Sequence, residues 1–309
     1  MTPDQKRRSI LKIVAALSLP PVLTPARAES MPSKPMLRRP IHSSGEQLPV
    51  VGLGTYQSFD VGPAENDREP LREVMRQFAG YGGAVIDSSP MYGRSERVVG
   101  DLSEELSLRS QLFMATKVWT SGERSGIDQM NESFRRMRVN VMDLMQVHNL
   151  TDWRTHAKTL TEWKESGKVR YTGVTHYHSG AYANLLSIMQ MNLFDFSQFN
   201  YSIVERDAEQ RVLPAALDTG TSVIINRPFA AGRLFPRVRG VSLPSWAAEF
   251  DCTSWAQFFL KYVVSHPAVT CVIPATGKPK HLIDNMGAGY GKLPDEKTRK
   301  RMRNLIDTL

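Results

Sequence analysis

Short apolar runs rich in β-branched residues recur along the chain at intervals of roughly thirty residues, the length of one strand–helix unit. In order they are Val50–Gly54, Ala84–Asp87, Leu112–Lys117, Met142–His148, Tyr171–Thr175, Phe194–Phe199, Ser222–Asn226 and Thr270–Pro274. Between them lie segments of helical period, among them Leu71 to Phe78, Arg97 to Leu106, Gln129 to Met137 and Thr155 to Lys164. Eight alternating units in a chain of 309 residues predict a single-domain (β/α)8 TIM barrel, an α/β fold. The near-continuous apolar character suits parallel strands covered on both faces. A doubly wound open sheet is the competitor, and it calls for a glycine-rich phosphate turn after the first strand. Gly52-Leu53-Gly54 is followed by Thr55-Tyr56-Gln57 and lacks the third glycine. Residues 29 to 47 read as irregular and polar, with Pro32, Pro35 and Pro40.

The first 28 residues follow a different pattern. The charged start Lys6-Arg7-Arg8-Ser9-Ile10-Leu11-Lys12 runs into the apolar Ile13–Leu19 and then to Ala26-Arg27-Ala28, whose small residues fit a signal-peptidase site. The apolar run is too short to span a bilayer as a helix. An amphipathic surface anchor is the alternative, and the cleavage site argues against it. The segment resembles a twin-arginine export signal. That resemblance implies a bacterial twin-arginine export machinery as partner, a periplasmic or otherwise exported location, and a mature chain of residues 29–309.

Cleavage after Ala28 removes Lys6, Arg7, Arg8, Lys12 and Arg27 together with Asp4, so the formal net charge of +8 falls to +4. No dense basic tract remains to mark a nucleic-acid partner, and no membrane span is expected in the mature chain. Lys297, Arg299, Lys300, Arg301 and Arg303 read as the solvated face of a terminal helix. Of the two cysteines, Cys252 and Cys271, the second lies in the apolar Val269–Ile273 and reads as a buried, unpaired thiol. The mature chain is expected to be a monomer.

The placement of polar residues points to chemistry. Asp87 ends the second run, Lys117 the third and His148 the fourth, and Tyr92 follows Asp87 in a loop. In a barrel these strand ends share one rim, the catalytic face. Singly, Asp87 reads as a helix cap, Lys117 as a solvated strand end and His148 as a loop histidine; together they interlock. A carbonyl accepting a hydride needs a proton, which a phenol supplies more easily beside a cation. Lys117 supplies that charge, Asp87 pairs with Lys117, and His148 directs the substrate oxygen.

Gly52-Leu53-Gly54-Thr55, Asp87-Ser88-Ser89-Pro90-Met91-Tyr92-Gly93, Thr116-Lys117-Val118-Trp119 and Met142–His148 resemble, in order, the signatures of the aldo/keto reductase family, and the similarity extends from about Val50 to Asn285. The resemblance implies Tyr92 as general acid, with Asp87, Lys117 and His148 completing a tetrad. It implies Gln198 as the contact to the nicotinamide amide, with Thr55 among the cofactor residues. It implies Tyr56 and Trp119 as walls of the site for a small carbonyl substrate. Ile273–Asn285 resembles the family's adenosine-phosphate clamp, where Thr276, Lys278, Lys280 and Asn285, with a helix beginning near His281, receive the cofactor. NADP(H) is the implied cofactor and NAD(H) the second choice, because His281 stands where the family commonly has an arginine.

Other departures concern the nicotinamide end. His176 stands where the family has a serine–asparagine pair holding the amide, so it inherits that bond. Asn226-Arg227-Pro228 replaces an aromatic platform, and Asn226 cannot stack on a ring as an aromatic does. Two different readings remain open. His176 and His178 at strand spacing, with His148 and Asp87, suit a metal-dependent barrel hydrolase. A nicotinamide-binding sensor or regulatory subunit without turnover suits the same fold. The tetrad reading assigns no metal.

Overall fold

A computed structural model describes residues 35–309. The segment read as an export signal lies outside the described residues. After a two-stranded hairpin, β1 (Arg38–Pro40) and β2 (Gln47–Pro49), the chain forms eight parallel strands: β3 (Leu53–Gly54), β4 (Val85–Asp87), β5 (Phe113–Val118), β6 (Met142–His148), β7 (Val169–Thr175), β8 (Phe196–Asn200), β9 (Ser222–Asn226) and β10 (Val269–Val272). They pair in sequence order from β3 to β10. Parallel bridges Val51 to Val272 and Gly54 to Ala275 join the two edges, which makes the (β/α)8 barrel. The helices are α1 (Glu65–Gly80), α2 (Ser95–Glu105), α3 (Glu123–Met137), α4 (Trp153–Glu165), α5 (Tyr182–Met189), α6 (Val212–Asp218), α7 (Leu234–Arg237), α8 (Trp255–Val264), α9 (Pro279–Gly287) and α10 (Glu296–Asp307). All eight predicted runs overlap a barrel strand, and the four helical segments named from their period fall within or at the edge of α1 to α4.

The strands divide the core by their two-residue period. Val85, Phe113, Ala115, Leu144, Phe196, Ile224 and Cys271 form one buried cluster at inward positions, while Ile86, Met114, Met145, Val147, Phe199, Val223 and Ile225 belong to another that packs against the helices. Five of the inward rows turn polar toward their C-terminal ends: Asp87 follows Val85, Lys117 follows Ala115, Gln146 and His148 follow Leu144, Gln198 follows Phe196, and Asn226 follows Ile224. The parity of the strand thus places these side chains inside one barrel mouth.

The expectation of irregular chain over residues 29 to 47 is corrected from Arg38 onward by the hairpin, which closes the opposite end; residues 29–34 lie outside the described residues. Its Ile41 and Leu48 join the inward apolar cluster. Arg39 donates to the carbonyl of His266 at 2.6 Å and also to that of Val269, tying the hairpin to the start of β10. The alternating pattern was invisible because only three residues pair on each side. The first barrel strand is also shorter than its apolar run, because Gly52 and Gly54 lie at the seam. A Cβ on Gly52 would stand 2.8 Å from the Val85 carbonyl oxygen, and one on Gly54 2.8 Å from that of Ile273. These glycines serve close backbone approach, the reason a Gly-x-Gly pair occurs without a phosphate turn.

A further correction concerns the C-terminal basic cluster. Lys297, Lys300 and Arg301 on α10 are exposed, whereas Arg299 is buried at 3% exposure. Its guanidinium donates to Glu209 at 2.7 Å, the Tyr201 hydroxyl at 2.8 Å and Ser265 at 2.8 Å. It also lies 4.2 Å from the Tyr262 ring centroid. This network fastens α10 to the barrel. Both cysteines are buried and free. Replacing Arg299 with Met should lower unfolding free energy by about 3 kcal/mol, since Glu209, the Tyr201 hydroxyl and the Tyr262 carbonyl lose a shared donor. Urea denaturation measures this; a loss within ~0.5 kcal/mol, as for ordinary surface changes, would show the network idle.

Candidate active site

Asp87, at the end of β4, and Lys117, on β5, form a buried ion pair with Nζ 2.5 Å from Oδ2. Lys117 also donates to the Ser88 carbonyl at 2.7 Å. The other aspartate oxygen accepts from Gln198 Nε2 at 2.9 Å and Gln146 Nε2 at 3.2 Å. Three side-chain donors on one carboxylate offset the cost of burying it inside the barrel. Burial pushes the lysine pKa down, but Asp87 and then Tyr92 more than offset it, and the net direction is up.

Tyr92 leans over this pair, with Lys117 Nζ 5.0 Å from its ring centroid. Its ring meets Tyr56 at 5.0 Å and His148 edge-on at 5.9 Å. Burial raises the phenol pKa; Lys117 lowers it, yet burial prevails. In this state the cation therefore moderates the phenol without making it unusually acidic. His148, at the end of β6, has its Nδ1 within 3.0 Å of Ser89 Oγ. Burial, then the Lys117 charge and His176, hold its pKa down at about 2, so the ring is neutral and available as a hydrogen-bond partner.

These groups open into a cleft of about 830 Å³ lined by Thr55, Tyr56, Asp87, Tyr92, Trp119, His148, Gln198, Asn226, Arg227 and Pro228 among others. Three of the tetrad residues and both predicted substrate aromatics line it, and Lys117 lies fully buried behind Asp87. Thr55 is held by its hydroxyl, which donates to the Asp87 carbonyl at 3.0 Å. Trp119 lies with its ring 6.2 Å from that of His148, its backbone N–H donating to Gln129 at 2.5 Å. Arg227 donates to the Tyr177 carbonyl at 3.0 Å and rests 5.6 Å from that ring; it pairs with no carboxylate among the described residues.

Other expected residues stand apart from the cleft lining. His176 faces its neighbours: its Nδ1 accepts from the Tyr177 N–H at 3.0 Å, and its carbonyl accepts from Asn226 at 2.9 Å. Thr276 is buried and accepts the Lys278 N–H at 3.1 Å. Lys278 caps α9, and Lys278 and Lys280 are both exposed; Asn285 is buried within that helix. The predicted helix at His281 thus begins two residues earlier, with Pro279 in its first turn. Among the described residues no three His, Cys, Asp or Glu side chains gather as a metal-ligand set, so the hydrolase reading loses the geometry it needs.

Sequence reasoning missed Gln146, Ser88 and Ser89. Gln146 carried a usable signal, a polar residue at an inward position of β6 between Leu144 and His148. The serine contacts depend on how the loop after β4 folds and left no periodic trace. It missed also that Asn226 Oδ1 and Asn149 Oδ1, on two residues lining the cleft, are buried without a partner.

The chain matches the aldo/keto reductase family over residues 50–304. It belongs to that family. It is 28% identical over 261 residues to methylglyoxal reductase YeaE of Escherichia coli, covering 81% of this chain and 89% of that protein. It is 28% identical over 215 residues to aldo-keto reductase YhdN of Bacillus subtilis, a match spanning 63% of this chain and 62% of that protein. A solved aldo/keto reductase of Klebsiella pneumoniae, in complex with NADP and acetate, shares the fold with a TM-score of 0.70 at 22% identity, over 85% of this chain and 93% of that one.

The neutral His148 has a consequence for stability. The unfolded chain protonates this histidine near pH 6.5, while the folded protein resists protonation down to about pH 2. The unfolded state therefore binds more protons between these values, and stability falls as the pH drops below 6.5. His148→Gln should flatten that fall between pH 6 and 4 by up to ~1.4 kcal/mol per pH unit in urea titrations. His266, held down to about 4 by burial and then by Arg299, remains in both proteins and supplies a residual slope. Identical slopes in the two proteins would mean that folded His148 is protonated.

Proposed function

We propose that this protein reduces an aldehyde or ketone to an alcohol with a reduced nicotinamide dinucleotide, Tyr92 being the proton donor. The observation that carries this is the convergence of Asp87, Tyr92 and neutral His148 in one cleft of the family's barrel, with Lys117 buried against the first two. The bound nicotinamide supplies the hydride to the carbonyl carbon. His148 hydrogen-bonds the carbonyl oxygen, and the Tyr92 hydroxyl gives it a proton as the C=O bond becomes C–OH. A developing alkoxide is far more basic than a phenolate, so even a phenol raised by burial delivers its proton. Lys117 then stabilises the phenolate left behind, and Asp87 holds the ammonium in place. Solvent returns the proton.

The residues present fit such a cofactor. The cleft continues from the tetrad past Gln198, Asn226, Arg227 and Pro228 to Ala275, beside Thr276. Orphaned acceptors on Asn149 and Asn226 call for ligand donors. Arg227 offers a cation without a carboxylate to a phosphate of the dinucleotide, and Lys278, Lys280 and Asn285 would meet its adenosine end. NADP(H) is the favoured form and NAD(H) the second; lysines are point charges without the fork of arginine, so discrimination is modest. Tyr56 and Trp119 would flank the carbonyl substrate. Turnover separates this reading from a catalytically silent sensor. Tyr92→Phe should lower kcat by about 10²- to 10⁴-fold while the cofactor dissociation constant stays near the parent value, because only an interaction made in the transition state is lost. Near-normal carbonyl reduction by the variant would remove Tyr92 from this role.

The finer reading places the enzyme outside the cytoplasm. Arg7-Arg8 with Ile10-Leu11-Lys12, the short apolar run and Ala26-Arg27-Ala28 support a twin-arginine signal over residues 1–28 and a mature domain over 29–309. Among the described residues no helix is long and apolar enough to cross a membrane. Such machinery moves folded proteins, which suits a barrel whose interior ion pair forms only on folding. Changing Arg7 and Arg8 together to lysine conserves charge yet should retain the precursor in the cytoplasm, as read by cell fractionation. Undiminished export would exclude the twin-arginine route.

A further inference from the structure

We infer that Asn226, and not Gln198, supplies the acceptor that recognises the amide N–H of the nicotinamide carboxamide. The inference rests on the nicotinamide reading above and reassigns a contact within it.

Gln198 is already occupied. Its Nε2 donates to Asp87 Oδ1 at 2.9 Å and lies 3.4 Å from Gln146 Oε1, which uses both N–H groups. Its Oε1 accepts from Asn226 Nδ2 at 3.4 Å. Turning Gln198 toward a ligand would withdraw a donor from the buried carboxylate that holds Lys117, a cost that a neutral hydrogen bond to a ligand does not recover.

Asn226 has the opposite condition. Its Nδ2 donates to two oxygens, the His176 carbonyl at 2.9 Å and Gln198 Oε1. This sets the orientation of the amide, since the flipped form would place Oδ1 against two acceptors. Oδ1 is consequently the free end; it is buried, has no partner, and belongs to a residue lining the cleft. A buried acceptor of this kind is satisfied by a ligand donor, and a carboxamide NH₂ on a flat ring is the donor that the proposed reaction brings to the tetrad. The asparagine thus replaces stacking with a hydrogen bond. It is also the outer end of a chain running Asn226–Gln198–Asp87–Lys117 across strands β9, β8, β4 and β5, so the group that reads the cofactor is joined by hydrogen bonds to the cation beside Tyr92.

Calorimetric titration without substrate tests this, using oxidised NADP and its 3-acetylpyridine analogue, which keeps the carbonyl and lacks the amide N–H. The parent protein should bind the analogue about 3- to 10-fold more weakly, the worth of one hydrogen bond to a buried acceptor. Asn226→Leu should bind oxidised NADP more weakly and treat the two ligands alike, whereas Gln198→Met should keep the preference. Equal binding of both ligands by the parent protein overturns the inference without needing any variant. So does a preference that survives Asn226→Leu and disappears in Gln198→Met. Failure of the parent protein to bind either dinucleotide would instead sink the functional reading, and this inference with it.

Discussion

The buried pair between Lys117 and Asp87 is the interaction on which the site depends. Two charges inside a barrel cost several kcal/mol each in lost hydration, and their attraction compensates only if the remaining polar atoms find partners. Here they do: Gln146 and Gln198 saturate the second carboxylate oxygen, and the Ser88 carbonyl takes another ammonium proton. Tyr92 and His148 are both tuned by this pair. The phenol lies within reach of the ammonium, and the imidazole is kept neutral by burial and by the same positive charge.

That pair could not sit anywhere else in the fold. The barrel interior is apolar from the hairpin upward, with Ile41 and Leu48 at its base and Phe113, Leu144 and Phe196 above them. The polar side chains that meet Asp87 lie toward the C-terminal ends of the inward rows, where the cleft admits a ligand. An apolar floor lowers the local dielectric and strengthens each interaction above it, and it makes any unpaired group costly. The contrast with Asn226 follows from this: its free oxygen is tolerable at the mouth, where a ligand arrives, and would not be so in the layers below. The hairpin and the close-packed glycine seam therefore bear on the site, since they keep water from its floor and hold its strands in register.

The long-range features divide by their physical origin. The eight strands and four of the helices were legible because burial on two faces writes an apolar run and burial on one face writes a period of 3.6. Their position at the ends of successive runs then placed Asp87, Lys117 and His148 on one rim. The hairpin escaped because six paired residues are too few to show a period. Arg299 was misread because an arginine that bridges Glu209 and two tyrosines looks, in sequence, like its solvated neighbours Lys297 and Lys300. Gly52-Leu53-Gly54 was legible as glycine-rich, but only closure of the barrel explains why no side chain fits there.

By itself, then, the sequence determined the barrel, the family signatures and the candidate tetrad at its strand ends, since these follow from periodicity and order along the chain. The tertiary structure decided which polar atoms are spent and which are free. Gln198 is consumed by Asp87, Asn226 keeps one acceptor, His176 turns to its neighbours, and Arg227 lies against Tyr177 without a carboxylate. Hydrogen-bond partnership depends on distances of about 3 Å between groups tens of residues apart. No local pattern encodes such distances; they exist only once the strands are set side by side.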